Sequence, residues 1–188
     1  MSGVHALPPE ERRGLDRAIH ERRDVRARVR DACLRERARA AEAYEEPRRS
    51  EFLALKREGI LEAPLNLCIT CDPHRAGPSV LGRSAVRETD ACSTCCAVQN
   101  FWLAARAEGV GVGWVSIVEP DARRQCLDIP AGGLPIAYLC VGYVSDFQES
   151  PDLERAGWRA RLPLAPLVFE NRWDVSADRL RATLEDTP

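Results

Sequence analysis

The sequence predicts an α+β fold, and three observations carry that expectation. LNLCITC (65–71) and LPIAYLCVGYV (134–144) are short apolar, β-prone runs of strand length. Segments of helical spacing stand on either side of them. Helices and strands nevertheless follow one another without the regular rhythm of a doubly wound parallel sheet. At 188 residues, 45% of them apolar and 30% charged, the chain suits one soluble globular domain spanning 1–188. Within it, 1–26 reads as an N-terminal helix carrying an arginine motif, and 150–175 as an extended arm.

Taken in order, Pro8-Pro9 and EERRGLDRAIHERRD read as a first helix, with Leu15 and Ile19 on one face. Ala27–Tyr44 is Ala- and Arg-rich with helical apolar spacing, and Pro47 interrupts it. Phe52–Glu58 resumes a helix that Gly59 can end. LNLCITC is a strand, and DPHRAGPSVLGRS is a loop with Pro and Gly at its turns. From Ala91 to Ala105 there is no charge, so this helix is expected to be buried, in a core or at a subunit interface. Gly109 closes it. GWVSIV (113–118) is expected as a strand, EPDARRQCLDI as a short helix started by Pro120, and LPIAYLCVGYV as a buried strand. From Ser150 to Trp173 the tail is rich in Pro, Trp and Arg.

Composition narrows the function classes. The formal net charge is −2, against the basic total usual in a nucleic-acid binder. Lys56 is the only lysine among 27 basic residues, so every basic site tends to be arginine and arginine density alone says little. MSGVHALPPEERRG shows no apolar secretory core, and the longest uncharged runs fall short of the roughly 20 residues that span a bilayer. The expectation is a cytoplasmic protein with no membrane and no nucleic-acid partner, its eight cysteines kept as thiols.

Three patterns could carry chemistry. Cys68-x-x-Cys71 and Cys92-x-x-Cys95 stand near zinc-ribbon spacing, but a strand points residues 68 and 71 to opposite faces, which favours buried thiols and no metal. GVGVGW (109–114) permits close backbone approach to a ligand, or is a helix end running into a turn. Arg22-Arg23-Asp24-Val25-Arg26 sets three guanidiniums around one carboxylate, enough to grip a phosphate or simply to form a solvated helix end. From Arg28 to Arg39 the arginines read as a solvated, Glu-interspersed helix face.

RRDVR, LKREGILEAPLNLCITCD, GPSVLGR, STCCAVQNFWLAARAEGVGVGWVSI, AYLCVGYV and GWRARLPLAPLVFENRW, in that order, resemble the 5,6-dimethylbenzimidazole synthases. These are a branch of the FMN-dependent nitroreductase-like superfamily. The resemblance implies a nitroreductase-like central sheet flanked by helices and a homodimer with FMN at the subunit interface. It implies O2-dependent fragmentation of reduced FMN, the flavin being substrate, to give the lower ligand of cobalamin. A separate flavin reductase would supply the reduced FMN. By the same resemblance Asp24 and Ser116 are the catalytic pair. Arg22, Arg23, Asp24, Val25 and Arg26, with Gly111, Arg159 and Arg161, are the flavin-binding set. The family carries a further block after RRDVR, with a Val-Arg dipeptide at both its edges, where this sequence runs straight into ARVR. An in-frame loss of one strand and one helix is therefore expected. Three other readings share the sequence: an FMN-dependent NAD(P)H oxidoreductase on the same fold, a non-catalytic truncated relative, and a zinc-ribbon module.

Overall fold

The computed structural model describes residues 9–55, 59–75 and 77–177, with side chains from residue 24 onward. It divides into two compact units, Met1–Phe147 and Gln148–Pro188.

In the first unit, helix α1 (Pro9–Ala41) runs without a break through Arg26-Ala27. The sequence predicts an N-terminal helix and a separate second one beginning at Ala27. Nothing between Asp24 and Val29 stops a helix, and Ala and Arg are strong helix formers, so the two are one rod. Pro47 precedes α2 (Arg48–Ala54), which starts earlier than the expected Phe52. The rest of that expected helix, 56–58, lies outside the described residues. Tyr44 packs on Phe52 with ring centroids 5.0 Å apart, closing the corner between the two helices.

Among the described residues the sheet has three strands: β1 (Leu65–Cys71), β2 (Val110–Trp114) and β3 (Leu134–Tyr143), in the order β1-β3-β2 and antiparallel throughout. Leu67 faces Leu139, and Val112 faces Val141. A register shift falls between Ile69 and Thr70. The strand expected at 113–118 begins three residues earlier, on the glycine run itself. Val110, Val112 and Trp114 alternate onto the apolar face, and the intervening glycines hide that periodicity from a sequence reading. Helix α3 (Thr89–Ala107) precedes β2, and Gly109, at φ +73°, makes the left-handed turn between them. Helix α4 (Pro120–Leu127) has proline in its first turn and ends on Asp128 in the left-handed region.

Two clusters cover the two sides of the sheet. On one, Val98, with Trp102 and Ala105 of α3 beside it, packs on Val112, Ala137, Leu139 and Val141. On the other, Val29, Ala32 and Cys33 of α1 pack with Ile60, Val115, Val118, Tyr138 and Cys140, and Ala122 and Cys126 of α4 lie against them. The α3 helix is less buried than its composition suggests. Of its residues only Val98 is fully covered, while Phe101 and Leu103 are exposed.

The second unit holds α5 (Asp152–Arg155), a 3-10 turn (Ala165–Leu167), a bridge between Phe169 and Ser176, and a Phe169–Trp173 ring pair at 4.9 Å. Among the described residues no helix is long and apolar enough to cross a membrane.

Candidate functional site

The arginine motif lies in the middle of α1, one turn before the core residue Val29. Asp24 is exposed and Val25 half-buried, while the side chains of Arg22 and Arg23 lie outside the described residues. Arg26 is committed to the fold. Its Nε donates to the Ile60 carbonyl at 2.9 Å, and its Nη2 donates to the carbonyls of Ile60, Leu61 and Ala63 at 2.6, 2.7 and 2.5 Å. These carbonyls belong to the turn that leads into β1, where Ala63 N–H also bonds the Gly59 carbonyl at 2.8 Å. Asn66 Nδ2 adds a bond to the Ile60 carbonyl at 2.8 Å. A guanidinium suits carbonyl oxygens as readily as phosphate oxygens, and here the carbonyls hold it.

Ser116 is exposed in the loop between β2 and α4, two residues beyond the end of β2 rather than within a strand. The residue before it, Val115, is buried and donates its N–H to the Tyr138 carbonyl at 2.8 Å. Val115 and Val118 flank Ser116 and share a cluster with Val29 and Cys33. That packing brings the loop of Ser116 to the α1 side of the sheet. Asp24 is displaced from Val29 by about 7 Å along the helix axis. The two expected catalytic residues thus lie on the same side of the sheet, both open to solvent.

Gly111 sits in β2. A Cβ there would come 2.5 Å from Val144 Cγ1 and 3.3 Å from the Gly142 carbonyl oxygen. Its missing side chain is accounted for by Val144 and by the neighbouring strand. Arg159 and Arg161 lie in the second unit, after α5, and both are exposed. Arg159 N–H donates to the Leu153 carbonyl at 3.2 Å.

The other arginines of α1 do more than face solvent. Arg28 donates to the Cys126 carbonyl at 3.1 Å, tying α1 to α4. Arg37 binds the carbonyls of Leu53 and Leu55 at the end of α2. Arg39 pairs with Glu36 at 2.6 Å and Glu119 at 2.9 Å, which hold its guanidinium above its ordinary pKa. A helix face that reads as solvated is in part a set of ties to neighbouring segments.

Two features went unread in the sequence. Arg123 of α4 is buried, reaches the Ile136 carbonyl at 3.4 Å and leaves its Nε without a partner among the described residues. Burial pulls its pKa down, and burial pushes that of the neighbouring Cys68 thiol up, against the pull of Arg123. Tyr138 is pushed up to about 12, first by burial and then by Cys140. The second is a groove of about 1070 Å³ in the loop between β1 and α3, lined by residues from Pro73 to Asp90. None of the eight cysteines is in a disulfide, and among the described residues no group of three His, Cys, Asp or Glu can hold a metal ion.

The nitroreductase family model matches residues 13–143, well over half of the chain. The chain belongs to the nitroreductase family. Among curated proteins, a Rhodospirillum rubrum 5,6-dimethylbenzimidazole synthase is 42% identical over 118 residues, covering 63% of this chain and 56% of that protein. A Rhodobacter capsulatus protein of the same name is 38% identical over 127 residues, covering 68% and 61%. The matched part thus spans less than two thirds of either relative's length. Among solved structures, a Bacillus subtilis nitroreductase aligns with a TM-score of 0.48 at 20% identity, over 74% of this chain and 60% of that one. A nitroreductase-like protein of Bacillus cereus aligns at 0.45 and 21%, over 76% and 66%. The mixed α and β elements, with a small antiparallel sheet between helices, agree with the α+β expectation and with this family.

For the flavin that the resemblance implies, the donor set fits in part. Arg22, Arg23, Arg159 and Arg161 are of the type that grips a phosphomonoester through paired N–H donors. Arg26 and Gly111 fit less well, because the carbonyls of the 60–63 turn hold the one and Val144 covers the other.

Proposed function

We propose that this chain is a 5,6-dimethylbenzimidazole synthase homologue that acts on reduced FMN and O2. The observation that carries the reading is the identity of 42% and 38% with two synthases, together with RRDVR and GWVSI standing where the resemblance requires them. Reduced flavin would supply both the electrons that activate O2 and the benzenoid carbons of the product. Arg22 and Arg23 would bind its phosphate, with Arg159 and Arg161 as further donors. Arg26 would act as a positioning residue, fixing the turn into β1 against α1. Asp24 would take up and return protons as the flavin ring fragments, a task that asks for a carboxylate within reach of the reacting atoms. Ser116 would hold the ring from the loop after β2.

The same reading makes the active form a homodimer fed by a separate flavin reductase. Phe101 and Leu103 on the open face of α3 are consistent with a subunit contact. It also takes the join at Arg26-Ala27 as an in-frame loss. The unbroken α1 and the three-stranded sheet, with both β1 and β2 at its edges, support that view.

The test is direct. The purified chain is mixed with photoreduced FMN, O2 is admitted, and products are separated by chromatography. Formation of 5,6-dimethylbenzimidazole that is lost in Asp24→Asn and reduced in Ser116→Ala supports the proposal. Flavin that survives repeated turnover with NAD(P)H would point instead to an FMN-dependent oxidoreductase. Flavin that reoxidises as it does without protein would leave a non-catalytic relative.

A further inference from the structure

The loop between β1 and α3 folds back so that His74, at its start, and Arg87, near its end, line one groove. An internal brace fixes that shape. Arg83 Nε donates to Asp90 Oδ2 at 2.8 Å, its Nη1 donates to the Gly77 carbonyl at 2.9 Å, and both side chains of the ion pair are largely covered. The His74 N–H donates to Asp72 Oδ1 at 3.0 Å, which holds the start of the loop in a tight turn.

The charge balance of the groove follows from these bonds. Asp90 is the only acid among its lining residues, and Arg83 already neutralises it. Arg87 has no acidic partner among the described residues, so the lining carries one unneutralised guanidinium as well as an imidazole. Ser79 and Ser84 add hydroxyl donors, while Pro78, Val80 and Leu81 add apolar surface, Leu81 being fully exposed. A guanidinium that shares its groove with hydroxyls and apolar side chains suits an anionic head carried on an apolar group.

We propose that this groove binds a phosphomonoester, with Arg87 as its principal ligand, His74, Ser79 and Ser84 as further donors, and Leu81 covering the group the phosphate carries. Two sources share that chemistry: the phosphate of FMN itself, and a separate sugar or aryl phosphate. The inference stands on the groove and does not depend on the flavin chemistry proposed above.

Titration calorimetry of the full chain with phenyl phosphate, FMN and riboflavin tests it. The variants are Arg87→Ala, Arg87→Lys and His74→Ala, with circular dichroism to check that each is folded. Arg87 is exposed, so its loss leaves the core intact. Phenyl phosphate is expected to bind the wild type, to weaken roughly tenfold or more in Arg87→Ala, and to recover partly in Arg87→Lys. Riboflavin, lacking the phosphate, should be indifferent to all three. If FMN weakens in parallel, the groove takes the flavin phosphate. If FMN is unchanged, the site serves another phosphomonoester. Phenyl phosphate that fails to bind the wild type, or that binds folded Arg87→Ala as tightly, overturns the proposal. Loss of 5,6-dimethylbenzimidazole formation with phosphate binding intact would count against the flavin reading alone.

Discussion

The two sides of the sheet are covered by different chemistry. On the α3 side, Val98, Val112, Ala137, Leu139 and Val141 meet with no polar side chain among the buried members. On the α1 and α4 side, Val29, Ile60 and Val118 share the space with Tyr138, Cys140, Cys68 and Cys126, and arginines enter from the helices. The first side is held by apolar burial, which asks only for shape and hydrophobicity. The second must satisfy donors as well, and Arg26 does so by gathering three carbonyls. The proposed catalytic residues also belong to that second side. The part of the molecule richest in polar ties is therefore also the part assigned to chemistry.

Adjacent residues of β3 that point to opposite sides should show the largest difference. Leu139 is fully buried against α3, and Leu139→Ala should cost about 3 kcal/mol in chemical denaturation. Cys140, its neighbour on the α1 side, is smaller, and Cys140→Ala should cost about 1 kcal/mol. Equal losses would mean that the two sides are not built differently.

A smaller effect sharpens the contrast through pH. The Tyr138 hydroxyl is held protonated to about 12, above the ordinary 10. The folded state therefore keeps a proton that the unfolded chain releases. The resulting stabilisation is complete below pH 10 and is lost as pH rises from 10 through 12, amounting to about 2 kcal/mol. Cys68, also raised by burial, adds in the same direction as the medium becomes alkaline. Denaturation midpoints measured from pH 8 to 12 should fall less steeply in Tyr138→Phe. A wild-type slope unchanged in that variant would remove Tyr138 from the account.

Much of this architecture was legible in the sequence. LNLCITC, LPIAYLCVGYV and EPDARRQCLDI carry the spacing of the elements they form, and Pro120 marks the start of α4. The strand at Val110 was not legible, because glycines at 111 and 113 remove the side chains whose alternation would reveal it. Continuity of α1 through Arg26-Ala27 was also hidden, since two motifs read as separate elements while their backbone needs no break. The use made of Arg26 lies beyond any sequence pattern. Its partners are backbone carbonyls 34 to 37 residues away, and carbonyls leave no signature in residue type. The groove is of the same kind, because a chain reversal and an Arg83–Asp90 brace, not periodicity, bring His74 and Arg87 to one place.

On the proposed reading Arg26 serves the fold, while Arg22 and Arg23 hold the flavin phosphate. The most direct measurement is a paired one on Arg26→Ala, reading stability by urea denaturation and FMN affinity by titration at a temperature where the variant stays folded. Arg28→Ala, which gives up one exposed bond to the Cys126 carbonyl, is the control. The expected result is a loss of about 2 kcal/mol for Arg26→Ala, less than about 1 for Arg28→Ala, and FMN affinity within roughly twofold of wild type in both. Unchanged stability with a tenfold or greater loss of FMN affinity in Arg26→Ala would contradict it, and would return Arg26 to the phosphate.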